Sequence, residues 1–153
     1  MHAGRDVTIA ATSLMTLEAV RAAETLAEEG IDVEVVDIRT LNPFDEGPVL
    51  ASVKKTGRLI VADTGSRSVG FAAEVVARVV EQGLSDLKRP PLRITLPDVP
   101  TPTTRALANY YYPLVHDLCA AARRLMDRPA RPEPEIKPDA FLDVPDPGFT
   151  GPF

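Results

Sequence analysis

"TGSRSVGF" (64–71) holds a glycine, two serines and an arginine, with a second glycine five residues after the first, between the apolar run Leu59-Ile60-Val61 and the helical pattern Phe71-Val75-Val76-Val79. Free amides at such a strand-to-helix turn attract anions, and Arg67 adds positive charge. The chemistry on offer is therefore phosphate or carboxylate binding through Gly65, Ser66, Arg67 and Ser68. Two specific forms of it fail. A P-loop needs a lysine after its second glycine, and here Phe71 follows Gly70. A dinucleotide fingerprint needs three glycines, and only Gly65 and Gly70 are present. The plainer reading gives Gly65 to a turn, Ser68 to capping the helix and Gly70 to close packing of that helix.

Arg39, in "RTLNPFD" (39–45), stands just past an apolar strand pattern. Its guanidinium could clamp a carboxylate or phosphate, but such an arginine more often satisfies backbone carbonyls of neighbouring loops. His116 lies among Leu114, Val115 and Leu118 and reads as a packed helix residue. Cys119 is the one cysteine, with no sequence-adjacent cation to activate it. No HxxxH, CxxC or GxSxG spacing occurs, so neither a zinc site nor a nucleophile elbow is indicated. The adjacent Tyr110, Tyr111 and Tyr112 read as packing or interface residues at a helix entry.

These residues need elements to hold them. The chain has 153 residues, 44% hydrophobic and 25% charged, which suits a soluble domain with a sizeable core. A net charge of −5 argues against nucleic acid or an anionic membrane as partner, and a single cysteine against disulfides, which points to the cytoplasm. Strands are predicted at 6–12, 32–38, 58–63 and 91–97. Helices are predicted at 14–29, with Leu17, Val20 and Leu26 on its buried face, from about 45 to 55, at 70–82 and at 113–127. Thr12 or Ser13 can cap the first, and Asp45 the second. Strand and helix alternate, so the sheet is mainly parallel with helices on both faces, an α/β/α sandwich. The loops after the strands then gather at one edge, where such sheets place function. Two regions follow: an α/β domain at 1–127 and a proline-rich extended arm at 128–153, which holds seven of the fifteen prolines. The arm also carries Phe141, Phe149 and Phe153, expected to anchor it on a folded surface.

"DVTIAATSLMTLEAVRAAETLAEEGIDVEVVDIRTLNPFD", "SVKKTGRLIVADTGSRSVGFAAEVVARVVEQ" and "PPLRITLPDVPTPTTRALANYYYP" together resemble the C-terminal domain of the transketolase superfamily. They are most like the beta subunit of the thiamine-diphosphate 2-oxo-acid dehydrogenases of pyruvate, branched-chain and acetoin type. The resemblance runs from about Asp6 to Asp127. It implies a three-layer α/β/α fold and a non-catalytic role. Thiamine diphosphate and magnesium would be held by thiamine-binding subunits or domains of the same enzyme. None is assigned to this chain alone, and decarboxylation of a 2-oxo acid would use the thiazolium as electron sink. The domain would serve assembly into an oligomer and offer a surface to an acyltransferase core. On this reading the residues singled out above become interface candidates: Arg39, Gly65, Ser66, Arg67, Gly70, Phe71 and the three tyrosines.

Three departures follow from the resemblance. The pyrimidine-binding domain, and an antiparallel edge strand usually found before "GRDVTI", are not in the sequence, which implies an excised fragment or a split subunit. Lys88 and Arg89, in "DLKRP", stand where relatives often carry an acidic residue near the acyltransferase surface. The arm from Arg128 is an addition to the family pattern. A ketol-transferase subunit, a free-standing anion-binding module and a scaffold using the arm are the competing readings.

Overall fold

The computed structural model describes residues 2–132. Four parallel strands, β1 (Val7–Ala11), β2 (Val33–Asp37), β3 (Leu59–Ser66) and β4 (Leu92–Leu96), form one sheet in the order β2-β1-β3-β4. Between them run α1 (Leu14–Ala27), α2 (Gly47–Thr56) and α3 (Phe71–Gly83), and a short α4 (Arg105–Ala108) and α5 (Val115–Leu125) follow β4. Residues of β1 are buried throughout, as expected of a central parallel strand covered on both faces.

One core cluster joins α1 and α5 to the sheet through Met15, Leu26, Ile9, Val33, Ile60 and Leu118. The other joins α2 and α3 to the opposite face through Val49, Val53, Val61, Val75 and Val79. Three layers result, as the alternation of elements predicts. The buried face of α1 differs from the expected one. Met15, Glu18, Ala19, Ala22, Ala23 and Leu26 are buried, while Leu17 and Val20 are half-buried. The alanines face inward because α1 is wedged between the sheet and α5, where only small side chains allow close approach.

On the other face, Thr8 of β1 meets hydroxyls of α2. Its Oγ1 lies 2.7 Å from both Ser52 Oγ and Thr56 Oγ1, and Ser52 Oγ donates to Glu34 at 2.6 Å. These polar groups are buried without penalty because each finds a partner. Gly57 ends α2 at φ 73°, a conformation that favours glycine. Lys88 lies over that turn and donates to the Thr56 carbonyl at 3.3 Å.

The outer edge of β2 carries an antiparallel bridge between His2 and Val35, with the Val35 amide donating to the His2 carbonyl at 2.9 Å. What precedes "GRDVTI" among the described residues is this single bridge and not a strand. Gly4 makes it possible, since a Cβ there would lie 2.2 Å from the Val33 carbonyl carbon.

Candidate assembly face at the carboxyl edge of the sheet

In the strand order β2-β1-β3-β4 the direction of winding reverses between β1 and β3, which is where doubly wound sheets open a ligand crevice. Here that crevice is occupied by the chain itself. Thr12, after β1, donates to Asp63 of β3 at 2.7 Å, and both are buried. The Asp63 carboxylate also lies against Gly65, where a Cβ would meet its Oδ2 at 2.7 Å. Beside it, Asp37 at the end of β2 accepts from Thr16 at 3.2 Å and from Arg39 Nε at 2.7 Å. Both carboxylates are engaged by donors of the chain itself, Thr12, Thr16 and Arg39.

The glycine-serine segment departs from its expected geometry. Strand β3 continues to Ser66, so Gly65 and Ser66 are strand residues and the turn is only 67–70. Ser68 does not cap α3, whose N-cap is Gly70. Instead Ser68 donates from its amide (2.9 Å) and its hydroxyl (2.6 Å) to the two carboxylate oxygens of Asp98. Those donors are the ones an anion would use. Hydrogen bonding from Ser68 holds the Asp98 carboxyl below the usual range. The turn is tied further by Arg67 N donating to the Leu96 carbonyl (3.0 Å) and Arg93 donating to the Arg67 carbonyl (2.7 Å). Gly70 is required by the tightness of the turn. A Cβ there would lie 2.0 Å from the Ser66 carbonyl oxygen.

Arg39 is exposed and satisfies a carboxylate, Asp37, rather than the loop carbonyls expected of it. Carbonyls are served instead by Arg93, as above, and by Arg58, neither of which was singled out in the sequence. Arg58 Nε donates to the Leu125 carbonyl at 3.0 Å and its Nη1 to the Asp6 carbonyl at 3.2 Å. Its sequence signal is faint: an arginine between a helix-ending glycine and the apolar start of a strand.

The other singled-out residues are dispersed. Phe71 packs edge-on against Phe44, ring centroids 5.3 Å apart. Lys88 and Arg89 lie at the opposite, amino-end edge, where Arg89 pairs with Asp127. Tyr111 and Tyr112 pack edge to face at 5.1 Å, and Tyr111 accepts from the Thr101 hydroxyl at 3.2 Å, while Tyr110 is exposed. His116 stands 3.5 Å from Asp117 on α5, and Asp117 accepts from the Leu114 amide at 2.8 Å at the start of that helix. Cys119 is buried, and burial pushes its thiol pKa up, the wrong direction for a nucleophile. Phe141, Phe149 and Phe153 lie outside the described residues. Among the described residues no cluster of three or more His, Cys, Asp or Glu side chains is placed to hold a metal ion, and no helix is long and apolar enough to cross a membrane.

What the carboxyl edge does present is apolar surface. Of the seven large hydrophobic residues exposed among the described residues, six lie on the connections that leave the strands there: Leu14, Leu41, Val69, Val99, Leu107 and Tyr110. Only Leu84 lies elsewhere. These side chains give the segments at that edge an exposed apolar character.

Residues 1–118 match the family described as "Transketolase, C-terminal domain". The acetoin:2,6-dichlorophenolindophenol oxidoreductase subunit beta of Cupriavidus necator is 42% identical over 123 residues, 80% of this chain and 36% of that protein. The mitochondrial pyruvate dehydrogenase E1 component subunit beta-1 of Arabidopsis thaliana is 42% identical over 121 residues, 79% of this chain and 33% of that protein. A solved structure described as "Split gene transketolase, inactive beta4 tetramer" superposes with a TM-score of 0.72 at 30% identity, covering 85% of this chain and 42% of that one. The chain thus spans about a third of the length of these curated relatives. A parallel sheet flanked by helices, a crevice filled by its own side chains and a family match over most of the length agree: this chain belongs to the transketolase C-terminal domain family.

Proposed function

We propose that this chain is the non-catalytic, assembly-forming C-terminal domain or subunit of a thiamine-diphosphate-dependent 2-oxo-acid dehydrogenase, acting in the cytoplasm. The observation that carries the reading is the carboxyl edge itself. Its ligand crevice is closed by Thr12 and Asp63, its turn amide and hydroxyl are taken by Asp98, and its loops expose six large apolar side chains. Such an edge is suited to packing against protein rather than to holding a cofactor. Thiamine diphosphate and magnesium belong, in this proposal, to partner subunits or domains. The relative named as a pyruvate dehydrogenase beta subunit favours oxidative decarboxylation, and the one named for acetoin favours oxidoreductase chemistry of the same family. The likeness to a split-gene transketolase favours the second reading, a ketol-transferase subunit. An acyltransferase core remains part of the proposal. Its expected contact residues, Lys88 and Arg89, already serve the Thr56 carbonyl and Asp127.

Reconstitution is the test. The chain is purified alone and then combined with the thiamine-diphosphate-binding chain it co-purifies with, and 2-oxo-acid-dependent reduction of an artificial electron acceptor is followed. The proposal expects no titratable affinity of the isolated chain for thiamine diphosphate with magnesium, and turnover that requires both components. Full activity of the partner without this chain would defeat it.

A further inference from the structure

Val69 sits at the tip of the turn between β3 and α3 with φ 60°, in the left-handed region, where a β-branched residue is a genuine outlier. It is also fully exposed, at 102%. An exposed, strained, apolar side chain gains nothing within the domain. The turn cannot relax to relieve it. Asp98 holds Ser68 by two hydrogen bonds, Arg93 and Leu96 hold Arg67, and Gly70 closes tightly on Ser66. The result is a rigid apolar knob. Strain of this sort persists where surrounding structure enforces it, and it gathers at functional positions. A knob fixed before docking also loses little entropy on burial.

The charged groups around the knob narrow the kind of partner. Asp98 is engaged by Ser68 and Arg93 by the Arg67 carbonyl, while the Arg67 side chain stays exposed beside the knob. With Asp98 engaged, the edge offers an apolar tip rimmed by Arg67, which fits an apolar pocket with a polar rim on a protein surface. We propose that Val69 is the anchor by which this edge docks into an apolar pocket on the thiamine-diphosphate-binding partner. The inference rests on the function proposed above and adds a residue and a contact chemistry to it.

The test compares the tagged full chain with Val69→Gly and Val69→Asp, each expressed in the native host and purified with whatever it carries, the co-purifying chains being identified by mass spectrometry. Glycine relieves the strain, so Val69→Gly is expected to melt at the same temperature as the parent or above it, which separates a binding effect from misfolding. Asp keeps a side chain but makes it charged. Wild type is expected to bring down a chain with a thiamine-diphosphate-binding domain, and both variants to retain roughly tenfold less of it or lower, the loss typical of a hot-spot residue. Parent-like retention by either variant would overturn the role of Val69 while leaving the proposed function standing. If wild type brings down no thiamine-diphosphate-binding chain, both proposals fall.

Discussion

Arg58 and Leu125 are 67 residues apart in sequence, and the Nε of one donates to the carbonyl of the other at 3.0 Å. Leu125 ends α5, so this bond satisfies one of the carbonyls that a helix terminus leaves without an intrahelical partner. The same guanidinium serves Asp6, just before β1. Arg58→Ala should therefore cost about 2–3 kcal/mol, the value of charge-assisted bonds whose loss strands half-buried acceptors. Arg58→Lys should recover only part of it, because one ammonium cannot reproduce the planar fork. Urea melts of the three proteins decide this. A parent-like midpoint for Arg58→Ala would refute it.

Arg39→Ala is the contrasting case. The Arg39 side chain is exposed and its ion pair with Asp37 lies in water. Exposed pairs contribute roughly 0–1 kcal/mol, so the variant should melt within a few degrees of the parent. A larger loss in the same urea series would mean that Arg39 has a second role within the domain.

Two glycines of the β3–α3 segment should respond differently to alanine. At Gly70 the new Cβ meets backbone, the Ser66 carbonyl oxygen, and the turn itself has to move. At Gly65 it meets Asp63 Oδ2, the far end of a side chain that can rotate. Gly70→Ala should cost about 1–3 kcal/mol and Gly65→Ala clearly less, in the manner of overpacking at rigid and yielding sites. Thermal melts that rank them the other way would show that the turn, not Asp63, is the softer neighbour.

Arg123 grips Glu29 with two bonds, Nε to Oε2 at 2.9 Å and Nη2 to Oε1 at 2.7 Å, and Arg131 adds a contact at 3.0 Å. Hydrogen bonding from Arg123 holds the Glu29 carboxyl below its ordinary value. A lowered folded-state pKa stabilises the fold above the unfolded value, near 4.3 for glutamate, and that stabilisation is lost as pH falls through the folded value. The stability gap between wild type and Glu29→Gln should be constant above about pH 5 and shrink on acidification. Chemical denaturation at a series of pH values measures it. A gap that widens in acid would reverse the sign and reject the assignment.

Much of this architecture was legible because apolar runs bounded by turn residues mark parallel strands directly. Leu59–Ala62 carries no polar residue and Val7–Ala11 only Thr8, so little confuses the pattern. The inward face of α1 was not legible. Ala19, Ala22 and Ala23 carry little hydrophobic signal, and their burial follows from how close α5 approaches, which is a tertiary fact. Arg39 and Arg58 look alike in sequence, each next to a strand. Only the meeting of β1, β3 and the end of α5 gives Arg58 carbonyls to hold. At the carboxyl edge, the absence of a phosphate motif was readable from Phe71. The occupation of Ser68 by Asp98 depended on a pairing across 30 residues. Val69 gave no warning at all, since a positive φ at valine runs against local preference.

Arg58 has a topological consequence as well as an energetic one. Asp6 and Leu125, the beginning of the first strand and the end of the last helix, are both in contact with one side chain. The fold is thus a nearly closed ring, open only between two neighbouring points on one edge of the sheet. A short linker could join those points, and new termini could be cut at an exposed turn such as the one following Leu84, without unthreading the core. In such a permutant the carboxyl edge would keep its crescent of apolar side chains, while the polypeptide entered and left at the opposite end. The carboxyl edge and the points of covalent attachment are, in this domain, geometrically independent.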